Sequence, residues 1–150
     1  GGRRSTVSPA ASATQISASA IPNPMVGGIP TEMTTTEIAE MVDAFGAAAR
    51  RCREGGLDGV DLHASSGYLI EQFLSPANNT RDDEYGGSLE NRMRFLMEIL
   101  ASIRDAVGDG FCVGIRLPNE EYIPGGLSPD DIAEIEGTFY ASVVHRLPRR

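Results

Sequence analysis

Residues 58–92, DGVDLHASSGYLIEQFLSPANNTRDDEYGGSLENR, decide the fold. The run Asp58 to His63 alternates as a strand does, with Val60 and Leu62 on one face and Asp61 and His63 on the other. The apolar face suits packing against helices, so the polar face must look into an interior or a site. The strand passes straight into a loop that crowds His63, Ser66 and Tyr68 together. In α/β folds ligands bind where strands end, because the loops after parallel strands converge there. Tyr68 to Leu74 predicts two helical turns, stopped by Pro76 and Asn78-Asn79, and a Gly-rich, charge-rich loop follows.

Helical patterns flank this stretch on both sides. Upstream, Thr34-Thr35-Thr36-Glu37 fits a capping box. Ile38, Met41, Val42, Phe45, Ala48, Ala49 and Cys52 then recur at the helical period. Arg50, Arg51 and Arg53 suit the negative end of that helix, and Gly55-Gly56 supplies the stop. Downstream, Ser88 caps a helix whose buried stripe is Leu96, Ile99, Leu100, Ile103 and Val107, flanked by Met93 and Phe95 and ended by Gly108. The strand Phe111 to Leu117 follows, with Phe111, Val113, Ile115 and Leu117 on one face and Cys112, Gly114 and Arg116 on the other. Helix, strand, short helix, long helix, strand is the order of a parallel crossover unit with a decorated loop.

Further out the sequence says less. Gly1 to Pro30 is rich in Ser, Ala, Thr, Pro and Gly, shows no period and reads as a long loop. Ser128-Pro129-Asp130-Asp131 predicts a helix start running to about Glu136. After Gly137 the text changes. Phe139 to Val144 reads as a possible strand, and the chain ends in a basic cluster. The layout expected is a loop segment 1–33, an α/β region 34–136 and a divergent tail 137–150. Two parallel strands cannot close a barrel and a parallel sheet needs both faces covered, so the chain reads as a piece of a larger α/β protein.

Bulk properties narrow the function. At 150 residues, 41% apolar and 23% charged, the chain has the composition of an ordinary globular domain. A formal net charge of −8 argues against nucleic acid, which needs phosphate-neutralising Lys and Arg. No apolar run approaches the ~20 residues that span a bilayer. Cys52 and Cys112 fall in predicted core elements and read as buried thiols of a cytoplasmic protein.

His63 is one of two histidines, and it stands at a strand's carboxyl end with Ser66 and Tyr68 three and five residues on. His and Ser can both donate to one carbonyl oxygen and stabilise the charge that grows there. Tyr68 can give a proton to a neighbouring atom. The bland reading is a hydrogen-bonded structural His and a Tyr whose ring packs. A hydrolase is rejected, because neither Ser65 nor Ser66 sits in a G-x-S-x-G elbow and no third residue is evident to orient the His. Metal spacing is absent too. Arg116 faces inward with no acidic partner nearby in the sequence, which is costly unless it meets an anion or a polarised carbonyl. The alternative is a buried salt bridge to an acid elsewhere. Gly114 beneath it leaves space for a flat ligand. Arg81, Asp83, Glu90 and Arg92 read as a loop-bracing ion network, and Gly86-Gly87 has no phosphate-loop pattern around it.

Residues 58–95 resemble the old yellow enzyme family, flavin-dependent ene-reductases built on a TIM barrel. QFLSP, Asn79, Arg81, Asp83, Tyr85-Gly86-Gly87-Ser88 and Glu90-Asn91-Arg92 keep the family's spacing. SASAIP and IPTEMTTTEI resemble the loop and helix before barrel strand four, and GIRL resembles strand five, so the likeness covers roughly Ser19 to Ile135. The resemblance implies a fragment of a TIM (β/α)8 barrel covering about strands 4 and 5 with their helices. It implies FMN as cofactor, NADH or NADPH as reductant, and hydride delivery to an activated carbon–carbon double bond of a small molecule. His63 falls on the family's carbonyl-binding His, Tyr68 on its proton-donor Tyr, and Arg116 on the Arg that contacts the flavin N1 and C2 carbonyl. Ser66 departs from the Asn or His usual at its position. That departure keeps amine or N-methyl oxidation, or dienoyl-thioester reduction with an added iron–sulfur domain, as alternatives. The tail from Gly137 departs from the family pattern. A non-catalytic remnant is the remaining reading.

Overall fold

Thr34 starts the first long helix in the way its sequence dictates. Its hydroxyl accepts from the Glu37 amide at 3.2 Å, and the Glu37 carboxylate accepts from the Thr34 amide at 2.8 Å. The hydrogen bonds that the Thr34 amide and then its hydroxyl, at 2.9 Å, donate to the Glu37 carboxylate hold that carboxyl below its usual range. In this computed structural model, which describes Gly2, residues 15–23 and residues 28–144, the elements in chain order are β1 (Ile16–Ser17), β2 (Thr31–Glu32), α1 (Thr35–Glu54), β3 (Gly59–His63), α2 (Leu69–Leu74), α3 (Leu89–Val107), β4 (Cys112–Arg116) and α4 (Pro129–Val144). Within the segment read as a loop, β1 pairs in parallel with β2. Most of Gly1 to Pro30 and the basic end of the tail lie outside the described residues.

β3 and β4 pair in parallel, with Val60 opposite Val113 and Leu62 opposite Ile115. α2 and α3 lie in the crossover between them. α1 packs against α3, and Gly46 leaves space for that approach: a Cβ there would collide with the Ser102 hydroxyl. The core gathers Ile38, Leu62, Phe73, Phe95, Leu96, Ile99, Ile103 and Val107, all buried. Phe73 is its hub, with ring centroids 4.3 Å from Phe95 and 6.3 Å, edge-on, from Tyr85. Among the described residues no helix is long and apolar enough to cross a membrane.

Three expectations need correction. Cys112 lies on the polar face of β4 and is exposed, so only Cys52, half-buried, keeps part of its predicted setting. Phe139 to Val144 is not a strand: α4 runs unbroken from Pro129 to Val144, through Gly137. Ser128 and Asp131 form its capping pair, each amide donating to the other's side chain at 3.0–3.2 Å. One Gly weakens a helix by only about 1 kcal/mol, and buried Ile135 and Phe139 on either side of it hold the chain to the core. Third, Arg116 is neither enclosed nor in a buried salt bridge: it pairs with an acid distant in the sequence, Asp61 on the neighbouring strand, and the pair is exposed.

The charge-rich loop is a brace. The Arg81 side chain is buried, and its Nη1 donates to the carbonyls of Ala18 at 2.9 Å and Met33 at 2.7 Å, while Nη2 meets Asp83 at 2.5 Å. Hydrogen bonding from Arg81 holds the Asp83 carboxyl below its ordinary value, helped by the Tyr85 amide. The buried Asn79 amide donates to Phe73 O and Tyr85 O, both at 2.7 Å. A Cβ on Gly86 would strike the Arg81 backbone, so only glycine lets the loop close there. Arg92 completes the brace away from Asp83: it donates to Leu74 O at 2.7 Å and Gly87 O at 2.5 Å and stands 3.6 Å from Asp131. Burial depresses its pKa, which Asp131 partly offsets. Of the predicted ion network, Arg81 and Asp83 pair directly, and Gly86 lets the loop close.

Candidate functional site

His63 and Arg116 are register partners at the carboxyl ends of β3 and β4. The period of two puts Asp61, His63, Gly114 and Arg116 on one face of the pair. The opposite face carries Val113 and Leu62 into the core. The Ala64 amide donates to Arg116 O at 2.9 Å, which carries the pairing one residue past the strand and fixes where the site loop departs. Arg116 Nη2 donates to Asp61 Oδ2 at 2.9 Å. Their side chains are 66% and 49% exposed, so the pair contributes about 0–1 kcal/mol to stability. Its consequence is geometric, since the carboxylate fixes the direction of a planar fork of donors.

After His63 the chain turns sharply. Ser66 has φ 60 and Gly67 φ 72, two left-handed residues in succession. For Ser that conformation costs about 1–2 kcal/mol, and it persists only where the surroundings over-determine it. They do so here through α2. The Glu71 carboxylate accepts from the Gly67 amide, and Gln72 Nε2 donates to Gly67 O at 2.5 Å. Ser17 Oγ in turn donates to Gln72 Oε1 at 3.0 Å, tying β1 to the same turn. Glu71 and Gln72 are both buried, although the six-residue helix that carries them reads as apolar. Two polar residues inside LIEQFL were the available signal for this clamp.

The four predicted site residues divide between two clefts. His63 and Tyr68 border a mainly apolar cleft of about 420 Å3, with Phe45, Ala49, Leu62 and Ile70 behind them. Their rings stand 5.1 Å apart at 51°. Ser66 and Arg116 border a second, more polar cleft of about 490 Å3. Ser65 Oγ stands 3.5 Å from His63 Nδ1. His63, which borders the first cleft, and Arg116, which borders the second, are register partners on adjacent strands.

The far wall of the second cleft is the loop after β4, which the residue pattern did not mark as functional. Glu121 anchors it: its carboxylate accepts from Asn78 Nδ2 at 2.7 Å and from the Leu127 amide at 2.9 Å. The anchored loop presents Tyr122, with φ 56 and 71% exposed, at its tip. Asn119 Nδ2 donates to the Tyr122 hydroxyl at 2.7 Å. The assembly offers donors from Arg116, His63 and Ser66 around a strand floor that lacks a side chain at Gly114. Such a surface can hold a flat, acceptor-rich ring and polarise an oxygen beside it.

The family model for the NADH:flavin oxidoreductase / NADH oxidase family matches residues 2–145, a wider span than Ser19 to Ile135. The chain is 43% identical over 129 residues to an N,N-dimethylglycine/sarcosine dehydrogenase of Chromohalobacter salexigens, covering 86% of this chain and 19% of that protein. It is 46% identical over 107 residues to an NADPH dehydrogenase of Clostridium acetobutylicum, covering 71% of this chain and 32% of the other. Among solved structures, a 2-naphthoyl-CoA reductase superposes with a TM-score of 0.84 at 39% identity, over 95% of this chain and 21% of that one. The chain belongs to the NADH:flavin oxidoreductase / NADH oxidase family, that of the old yellow enzymes. It spans about a fifth to a third of the length of these relatives.

Proposed function

We propose that this chain carries the substrate-clamp side of an FMN-dependent oxidoreductase that uses NADH or NADPH and reduces an activated carbon–carbon double bond of a small molecule. The observation that supports it most is the register pairing of His63 with Arg116 at the ends of adjacent parallel strands. In this reading β3 and β4 correspond to strands 4 and 5 of a (β/α)8 barrel. The layout proposed with it is a loop segment 1–33, a barrel portion 34–136 and a divergent tail 137–150, of which the described residues up to Val144 continue α4. A cytoplasmic location fits this chemistry.

The residues present suit the flavin. Gly114 adds no side chain of its own to the face that His63 and Arg116 share, and what lies against it there is the Asp61 carboxylate, 3.2 Å from where a Cβ would stand. Arg116 supplies donors on that face, suited to the acceptor edge of an isoalloxazine. When bound, FMN supplies hydride transfer from the reduced nicotinamide to the substrate's β-carbon. His63 and Ser66 donate to the substrate's carbonyl oxygen and stabilise its growing charge. Tyr68 holds the proton that the neighbouring carbon receives. The Glu71–Gly67–Gln72 clamp fixes where Ser66 stands.

A second reading has a specific observation behind it. Ser66 stands where an amide or imidazole would complete the usual enone clamp, and relatives named N,N-dimethylglycine/sarcosine dehydrogenase and N-methylproline demethylase match at 43% and 44% identity. Oxidation of a secondary or tertiary amine by the same flavin is the alternative, and reduction of an aromatic or dienoyl thioester is a third. The test is binding of phenolates, which mimic an enolate oxygen, to the FMN-loaded protein. A charge-transfer band that weakens at least tenfold in affinity in His63→Ala, with FMN retained, supports the clamp. Phenolate binding unchanged by that substitution removes it, and turnover of sarcosine-like amines without alkene reduction favours the second reading.

A further inference from the structure

We infer that Asp61 is a positioning residue that aims the Arg116 guanidinium and balances its charge, and so lowers the site's preference for a reduced flavin. The inference rests on the reading of Arg116 as a flavin contact.

The parallel register sets Asp61 opposite Gly114 and His63 opposite Arg116. Arg116 therefore folds back along the strand face to reach Asp61, meeting Oδ2 at 2.9 Å. Gly114 stands between them on that face and brings no side chain of its own. Even a methyl there would come within 3.2 Å of the Asp61 carboxylate. The backward reach is thus permitted by one glycine and directed by one acid. With both side chains half exposed or more, stability gives little reason for the pair, while its effect on the direction of the guanidinium is direct.

The electrostatic consequence has a definite sign. Reduction collects negative charge on the flavin edge that a neighbouring guanidinium favours. A carboxylate in ion-pair contact with the same guanidinium opposes that gain, because its own field acts on the ring with the contrary sign. Arg116 paired with Asp61 is then a directed hydrogen-bond donor with its charge largely balanced. The pair reconciles two needs, since an unbalanced Arg would be costly to enclose and would bind the reduced flavin so well that it yielded hydride less readily.

The experiment measures the two-electron midpoint potential and the FMN dissociation constant of the FMN-loaded protein, its Asp61→Asn variant and its Asp61→Glu variant. Asp61→Asn should raise the potential by about 30 mV, a tenfold shift toward the reduced form for a two-electron couple. FMN affinity should stay within a few-fold, and Asp61→Glu should return the potential toward the parent value. A potential that stays put or falls in Asp61→Asn overturns the inference while leaving the flavin reading intact. A purified parent protein that retains no FMN overturns the flavin reading, and this inference with it.

Discussion

His63 and Arg116 stand opposite each other across two parallel strands, and the floor of the face they share is Gly114, two residues before Arg116 and paired with Asp61. A flat ring between a His and an Arg needs that floor bare. Gly114→Leu should keep the fold, because the residue is only half-buried and points away from the core, but should abolish FMN retention through gel filtration. Circular dichroism would report the first and flavin absorbance the second. A Gly114→Leu protein that stays yellow would show that the ring does not lie on this face.

Ser66 holds a left-handed backbone that glycine adopts freely. Ser66→Gly relieves about 1–2 kcal/mol of strain and gives back roughly 0.4–1 kcal/mol through a looser unfolded chain. The first term is at least as large, so the variant should be as stable as the parent or up to about 1.6 kcal/mol more stable. If Ser66 donates to the substrate oxygen, phenolate affinity should drop about tenfold in the same protein. Denaturant melts and phenolate titration read the two effects separately. A variant that loses stability, or that binds phenolate as the parent does, would mean the turn serves the fold alone.

The sequence shows the strands and long helices because each carries its own period: Val60 and Leu62 against Asp61 and His63, Leu96 to Val107 at helical spacing. It shows the helix starts because capping is local, as with Thr34 and Glu37. It does not show contacts made by pairing. Asp61 meets Arg116 across 55 positions, and only the register of β3 on β4 brings them together. Glu121 meets Asn78 across 43 positions for a similar reason. The unbroken α4 was hidden by Gly137, whose helix penalty is outweighed by tertiary burial of Ile135 and Phe139. Of the site, the residue types at His63, Ser66, Tyr68 and Arg116 were legible, while their division between two clefts depended on the Ser66–Gly67 turn.

Arg81 and Asp83 make the most consequential ion pair in the brace, since the guanidinium also holds Ala18 and Met33 by their carbonyls. Arg81→Ala should cost about 3–5 kcal/mol, the scale for removing one partner of a buried pair. The pH dependence has a defined sign. The Asp83 carboxyl is held below the ordinary aspartate value of 3.8 by Arg81, so its contribution is fully present well above that value and is lost as pH falls through the depressed folded value. Asp131, depressed by its hydrogen bonds with Ser128, adds to the same acid limb. Asp83→Asn should flatten part of that limb and leave the neutral-pH melt lower by about 1–3 kcal/mol. An acid-unfolding curve identical in slope to the parent's would remove Asp83 from this role.

Tyr85 governs the opposite end of the pH scale. Burial, and then the hydrogen bond its hydroxyl donates to Glu98 at 3.0 Å, pushes its pKa up from 10.0 to about 12. The folded state keeps this proton after the unfolded chain has released it. The stability it contributes is therefore fully present below pH 10 and declines as pH rises from 10.0 toward about 12. Tyr85→Phe should lose about 0.5–1.5 kcal/mol at neutral pH with the hydrogen bond. The same variant should unfold less steeply in alkali and should lack the last ultraviolet step of tyrosinate formation. A parent protein whose tyrosines all ionise in one step near pH 10 while still folded would contradict the buried, Glu98-bound setting of this hydroxyl.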